Sequence, residues 1–184
     1  MNDFELLSDQ ELIAGCKKND RKMQEALYRK YAKKMFAICK SYADDNDAAK
    51  DILQDSFIKV FDNIKEFTPT GSLEYWIRRI ITNTAIDFYR KTTRINKFIE
   101  EEKKYSTDYL NENIISKLNF EEILLTVRKL PEGARIIFNL FVLEGYSHEE
   151  ISQKLHISVG TSKSQINRAR GILQKQLTEM RYKM

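Results

Sequence analysis

Apolar residues recur every three or four positions through most of this sequence, which is the spacing of one face of an α-helix. The stretch from residue 20 to residue 42 shows the spacing clearly, with an apolar stripe of Met23, Leu27, Tyr31, Met35, Ile38 and Tyr42. No alternation typical of a β-strand extends beyond a few residues. The 184 residues also include only two prolines and six glycines that could interrupt helices. The sequence therefore predicts an all-α protein.

Capping signals divide this pattern into eight helical segments, four before residue 93 and four after residue 117. Ser8 with Glu11 and Ser147 with Glu150 have the spacing of a capping box. Three further residues can cap the helices that follow them, namely Asp20, Asp47 and Ser72. The second group of helices is expected at 120–129, 132–144, 148–155 and 160–180.

Residues 94–117 separate the two groups and are charged, rich in asparagine and poorly periodic. Such a composition predicts a flexible linker. The chain is thus expected to consist of two small helical domains, at 1–93 and 118–184, joined by that linker. The C-terminal domain is predicted to contain a helix-turn-helix.

Several classes of protein are disfavoured by the composition. Cys16 and Cys39 lie at apolar helical positions and are predicted to be buried free thiols, and no spacing of ligands predicts a metal or another cofactor. A helical di-iron enzyme would need Glu-x-x-His motifs, and neither His148 nor His156 has a glutamate three residues before it. We therefore expect no di-iron enzyme. The absence of a signal peptide or a long apolar stretch predicts a cytoplasmic protein without membrane insertion.

The charge is unevenly distributed along the chain, although the net charge is only +4. Residues 44–66 carry seven acids and three lysines, whereas residues 72–97 carry six cations and two acids. Residues 156–184 carry six cations and one acid. Segments of opposite sign indicate at least two kinds of partner surface, one of them suited to a polyanion.

Residues 147–180 have the pattern of a helix-turn-helix: a capped short helix, a short turn and a longer helix with small residues at its start. One face of the longer helix is apolar, while the opposite face presents Lys163, Ser164, Asn167 and Arg168. These residue types pair with base edges and phosphates in the major groove. Thr161 and the first backbone N–H groups of this helix are expected near phosphate.

The helix after Ser72 interleaves aromatic residues with arginines, a composition that suits a strand with unstacked bases. Its outward face is predicted to carry Tyr75, Arg78, Arg79, Thr82, Ile86 and Tyr89. Trp76, Asn83 and Arg90 lie along one flank. Trp76 is also compatible with a place in the core, and Ile86 is anomalous on a polar face unless a partner or a second helix packs there.

The helix after Asp47 presents acids that cannot bind phosphate, namely Asp47, Asp51, Asp55 and Asp62 together with Gln54. From the residues alone, this surface is either a solvated acidic face or a contact for a protein partner.

Three motifs in order resemble the extracytoplasmic-function (ECF, group 4) subfamily of bacterial sigma-70 factors, over nearly the whole chain apart from the linker. DAAKDILQDSFIKVF, at 47–61, resembles the helix with which the family binds core RNA polymerase. FTPTGSLEYWIRRIITNTAIDFYRK, at 67–91, resembles the region 2 segment for −10 recognition and melting. The −35-reading region 4 is similar to LPEGARIIFNLFVLEGYSHEEISQKLHISVGTSKSQINRARGIL, at 130–173.

The resemblance implies three sets of site residues. Core polymerase would be bound by Asp47, Asp51, Gln54 and Asp55. The −10 element would be contacted by Phe67, Thr68, Ser72, Trp76, Arg78, Arg79, Asn83 and Arg90. The −35 element would be contacted by Thr161, Lys163, Ser164, Asn167 and Arg168.

The implied function is promoter-specific initiation with core RNA polymerase and promoter DNA as partners, and an anti-sigma factor as a further partner. The resemblance also implies no catalytic residues and no enzyme activity. Two positions depart from the family pattern, because Ser162 replaces the usual valine and Asn167 replaces a larger apolar or aromatic residue. These departures leave the −35 sequence open. The alternative is a free-standing helix-turn-helix regulator whose N-terminal bundle senses a ligand or forms a dimer.

Overall fold

The computed structural model describes residues 7–68, 71–92 and 126–181, and within these ranges it contains α-helices and no strand. The helices are α1 Asp9–Lys17, α2 Arg21–Tyr42, α3 Asn46–Asn63, α4 Leu73–Thr92, α5 Glu132–Phe138, α6 His148–Leu155 and α7 Val159–Arg181. A 3-10 turn, Ile64–Glu66, follows α3. The predicted all-α class is confirmed.

The chain divides into two compact units, Met1–Phe88 and Tyr89–Met184, so that the last turn of α4 belongs to the second unit. The predicted linker at 94–117 and most of the predicted helix at 120–129 lie outside the described residues. The predicted domain limits at 93 and 118 therefore stay predictions.

In the first unit, α2 packs against α1 and α3. Its core is made of the fully buried side chains of Leu12, Leu27, Met35, Ile52, Ile64 and Ile77, among others. The close approach of α1 and α2 requires glycine at position 15, because a Cβ there would lie only 2.7 Å from Cβ of Met23. The 3-10 turn packs against α1 and places the segment before α4 beside the C-terminal end of α1.

Both cysteines are free and buried, as predicted. Burial raises the pKa of the Cys16 thiol to about 11 and that of Cys39 to about 12. Both groups are therefore protonated at neutral pH, and a thiol rather than a thiolate is a poor nucleophile and a poor metal ligand.

Most of the predicted caps are present, but the cap of α3 was predicted at the wrong residue. Both capping boxes form, and Asp20 caps α2. The N-cap of α3 is Asp45 rather than Asp47, because an Asp45 side-chain oxygen accepts the N–H groups of Asp47 and Ala48. Asp47 lies inside the first turn, where its carboxylate pairs with Lys50 at 2.8 Å.

In the second unit, α7 packs against both α5 and α6. The helix predicted at 132–144 consists of two consecutive segments, because α5 continues as a π-helical segment, Asn139–Leu143. The buried side chains between these helices include Ile136, Phe138, Leu140, Ile151 and Ile166.

No helix in the ranges that the structure covers is both long and apolar enough to span a bilayer. Within the same described residues, no cluster of three or more His, Cys, Asp or Glu side chains could hold a metal ion.

Candidate DNA-binding and protein-binding surfaces

Helices α6 and α7 form the helix-turn-helix predicted from the sequence. The turn begins at His156, which takes the left-handed conformation, with φ 54° and ψ 44°. Its backbone N–H and that of Ile157 both donate to the Ser152 carbonyl. At the start of α7, the Ser158 hydroxyl accepts the N–H of Thr161 at 2.9 Å. These local bonds set the angle between the two helices.

The polar face of α7 points to solvent, on the side opposite to the buried residues Ile166, Ala169 and Leu173. Lys163 and Asn167 are exposed, whereas Ser164 and Arg168 are half-buried. The Ser164 hydroxyl donates to the Thr161 carbonyl at 3.0 Å. This arrangement places the side chains of Lys163, Asn167 and Arg168 on one helical surface.

Thr161 is turned away from that surface, contrary to the predicted contact with DNA. Its side chain is only 5% exposed. Its hydroxyl lies 2.8 Å from the Ser158 hydroxyl, and its N–H is taken up by the same serine. Because the first turn of α7 is capped from within the chain, Thr161 packs inward and does not present its side chain to phosphate.

His148 and Ser162 join α6 to α7 beneath the polar face. Nδ1 of His148 lies 2.9 Å from Oγ of the fully buried Ser162, and the ring stacks on Phe141 with centroids 4.4 Å apart. Burial, followed by the nearby Lys163 ammonium, lowers the pKa of His148, so the imidazole is neutral at pH 7. A polar contact thus occupies the position where the family pattern has valine.

On α4, the exposed surface is narrower than predicted. Tyr75 and Arg79 are exposed, while Arg78 and Asn83 are half-buried. Three residues assigned to the outward face are buried instead, namely Thr82, Ile86 and Tyr89. The anomaly of Ile86 disappears, because at 3% exposure it is a core residue and its burial stabilises the fold by about 1.5–3 kcal/mol. Arg90 is half-buried in the second unit.

The segment before α4 is held by an aromatic pair. The Phe67 ring is 5% exposed and lies 5.1 Å from the half-buried ring of Trp76, measured between centroids. Phe67 is therefore a packing residue, which corrects the expectation that its side chain faces DNA. Thr68 and Ser72 are exposed at either end of the segment, and residues 69–70 lie outside the described ranges.

Both acids of α4 pair with lysines from other helices. Glu74 lies 2.6 Å from Nζ of Lys34, and Asp87 lies 3.7 Å from Nζ of Lys59. Each pair offsets one negative charge, so the arginines of α4 dominate the charge of its surface. Such a surface suits an anionic partner.

The four residues predicted on α3 are all exposed, namely Asp47, Asp51, Gln54 and Asp55. The hydrogen bond from Lys50 lowers the pKa of Asp47 and offsets its charge. Asp51, Gln54 and Asp55 lie within one turn of each other and form, with the exposed Asp62, an acidic face along the helix.

Comparison with known proteins connects these surfaces to one family. The Sigma-70 region 2 model matches residues 27–95, and the Sigma-70 region 4 model matches residues 120–173. An ECF RNA polymerase sigma-E factor of Salmonella typhimurium is 31% identical over 177 residues, which cover 90% of this chain and 92% of that protein. This chain belongs to the ECF subfamily of the sigma-70 factors.

A second relative agrees with that assignment, and a solved structure shares the fold. An ECF RNA polymerase sigma-E factor of Haemophilus influenzae is 29% identical over 184 residues, covering 94% of this chain and 97% of that protein. The solved structure of CnrH, in complex with the cytosolic domain of CnrY, shares the fold with a TM-score of 0.50 at 22% identity. It covers 93% of this chain and 97% of CnrH. Like other sigma factors, this one binds core RNA polymerase and directs promoter-specific initiation.

One residue of the α3 surface in this sigma factor was not predicted from the sequence. Ile58 is 52% exposed and lies seven residues after Asp51, on the acidic face rather than in the buried stripe. Tyr28 of α2, also exposed, packs edge-on against Phe57 at 4.8 Å. The sequence did contain a signal for the exposure of Ile58, because the helical spacing places this apolar residue outside the core face of α3.

Replacing His156 with glycine is expected to stabilise the helix-turn-helix by about 0.5–1 kcal/mol. A residue with a Cβ destabilises the folded state by about 1–2 kcal/mol in the left-handed conformation, and glycine removes this cost. The greater conformational entropy of glycine in the unfolded chain offsets about 0.5–1 kcal/mol of the gain. Amide hydrogen exchange of α6 and α7 should slow about two- to fivefold in the full chain. His156→Ala is the control, because it removes the imidazole and keeps a Cβ. Equal protection in both variants would trace the effect to the imidazole rather than to the backbone.

Proposed function

We propose that this sigma factor binds core RNA polymerase through α3, opens the −10 element with the 67–72 segment and α4, and reads the −35 element with α7. The observation that supports this division is the sign of the charge on the exposed face of each helix. The exposed face of α3 is acidic, whereas α4 and α7 expose arginine, lysine and asparagine. Only the second kind of surface can approach DNA phosphates without repulsion.

On α3, we assign the polymerase contact to Asp51, Gln54 and Asp55 around Ile58, with Asp47 at the edge. Protein interfaces commonly have an apolar centre that is surrounded by polar residues, and the centre contributes most of the binding free energy. Ile58 supplies such a centre within the acidic face. Asp47 contributes less, because its carboxylate already pairs with Lys50.

On the DNA side, Tyr75, Trp76 and Arg79 are the residues of α4 best placed for an opened strand. Tyr75 is exposed, and the Trp76 ring packs against Phe67 in a tilted geometry while part of its surface stays accessible. Aromatic rings stack on unpaired bases, and arginine contacts the backbone of the same strand. Thr68, Ser72, Arg78, Asn83 and Arg90 complete the proposed −10 surface.

On α7, Lys163, Ser164, Asn167 and Arg168 are proposed to contact the −35 element. Arginine and lysine donate to guanine, and asparagine forms a two-bond contact with adenine. The two DNA-reading surfaces lie on one chain, so that binding of one raises the effective concentration of the other. Each can therefore be weak by itself.

Three further properties belong to the same proposal. The sigma factor acts in the cytoplasm, where its polymerase is, and it has no catalytic activity of its own. An anti-sigma factor is the additional partner that membership of the family suggests.

Co-elution of the chain with core RNA polymerase, followed by transcription from a promoter library, tests the proposal. We expect a one-to-one complex that initiates at a defined subset of promoters, whereas the free chain binds duplex promoter DNA weakly. A folded chain that fails to bind active polymerase, but forms a dimer on a palindromic site, would instead support a free-standing regulator.

A further inference from the structure

The last residue of α1 contacts the backbone where the 67–72 segment begins. Nζ of Lys17 donates a hydrogen bond of 2.8 Å to the carbonyl of Phe67, which lies 50 residues further along the chain. The bond is partly buried, and a charged donor forms a stronger hydrogen bond than a neutral one. Lys17 thus links the C-terminal end of α1 to the backbone at Phe67.

Phe67 is held in two other ways as well. Its N–H donates to the Ile64 carbonyl at 3.3 Å, and its ring is buried beside Trp76. Thr68, the next residue, is exposed. The Lys17 bond therefore acts on the peptide group between a packed residue and an exposed one, and it helps to fix the orientation of that peptide group.

We propose that Lys17 is a positioning residue for promoter opening, which acts through the Phe67 carbonyl on the backbone at Phe67 and Thr68 and on Trp76. The proposal rests on the −10 role assigned above to Thr68 and to α4. Lys17 precedes residue 27, where the match to the region 2 model begins, so the matched part of the family pattern does not account for it. Lys17 itself need not touch DNA.

Three variants separate the hydrogen bond from the charge. Lys17→Met keeps a side chain of similar length and removes both the donor and the charge. Lys17→Arg keeps both the donor and the charge, and is the conservative variant expected to rescue function. Lys18→Met is the matched control, because Lys18 is the adjacent residue, is exposed and carries the same charge.

Two measurements follow these variants. In the free chain, acrylamide quenching reports on Trp76, which is the only tryptophan of the sequence. In the holoenzyme, 2-aminopurine in the −10 strand reports the rate of promoter opening at saturating core polymerase. Lys17→Met should raise the quenching constant of Trp76 and slow opening about tenfold, with core affinity unchanged. Lys17→Arg and Lys18→Met should behave like the original chain.

Two results would overturn the role of Lys17: equal effects of Lys17→Met and Lys18→Met, or a parallel loss of core affinity in Lys17→Met. The first would mean that only charge matters, and the second that the fold of the first unit has been damaged. Arg79→Ala tests the underlying assignment separately. If Arg79→Ala slows opening and Lys17→Met does not, the −10 role of α4 stands and the inference about Lys17 is wrong. If neither variant slows opening, both are wrong.

Discussion

Exchanging Asp51 and Asp55 for lysine is expected to abolish the binding of this sigma factor to core RNA polymerase. Both carboxylates are exposed on α3, one turn apart, and flank Gln54. Truncating one partner of a buried charge pair at an interface costs about 2–5 kcal/mol, and reversal adds repulsion. The two changes together should weaken binding by at least about 4 kcal/mol, roughly a thousandfold. Fluorescence anisotropy of the labelled chain with core polymerase measures this loss.

The matched control is the double variant Glu25→Lys with Glu66→Lys, which changes the net charge by the same amount at exposed positions outside α3. It should bind core polymerase nearly as well as the original chain. Ile58→Ala should lie between the two, with binding about tenfold weaker, because it removes the apolar centre and leaves the charges in place. If the Asp51 and Asp55 variant kept its affinity, α3 would not be the polymerase-binding surface.

Replacing Arg168 with alanine is expected to weaken −35 recognition by about 1–3 kcal/mol, and only at promoters with a guanine at the contacted position. Arg168 lies on the polar face of α7, half-buried, so part of its side chain is already ordered before DNA arrives. An ordered guanidinium loses less entropy when it forms two hydrogen bonds to one base. Holoenzyme binding to a series of −35 variants measures the dependence on sequence.

Lys129→Ala is the control for this prediction, since Lys129 is an exposed cation of the second unit that lies outside both helices of the helix-turn-helix. It should change binding little, and equally on every sequence. A uniform loss for Arg168→Ala would identify a phosphate contact, and the salt dependence of binding would then fall as well. No loss on any promoter would remove Arg168 from the −35 surface.

The sequence predicted features that depend on residues close together in the chain. Helix limits follow from spacing and capping, and both capping boxes appear where the sequence places them. The polar face of α7 was predicted for the same reason, because residues three and four apart share a face in any helix. The one error among the caps was local too, since Asp45 and Asp47 have the same chemistry and lie two positions apart.

The tertiary structure decided which side chains are accessible, and several predicted contacts changed for that reason. Phe67 and Ile86 are apolar residues that gain free energy by leaving water, and the fold provides places where they do so. Thr161 turned inward because its polar groups are already bonded to Ser158. Ile58 shows the opposite case, an apolar residue that stays exposed on the acidic face of α3.

The sequence by itself determined the all-α class, the helix-turn-helix and the family, because these depend on local periodicity and on motifs read along the chain. Only the tertiary structure decided the contact between Lys17 and Phe67 and the burial of Ser162 against His148. Each of these joins residues from different structural elements. Packing between helices depends on the shapes and distances of whole faces, which the spacing of residues within one helix does not specify.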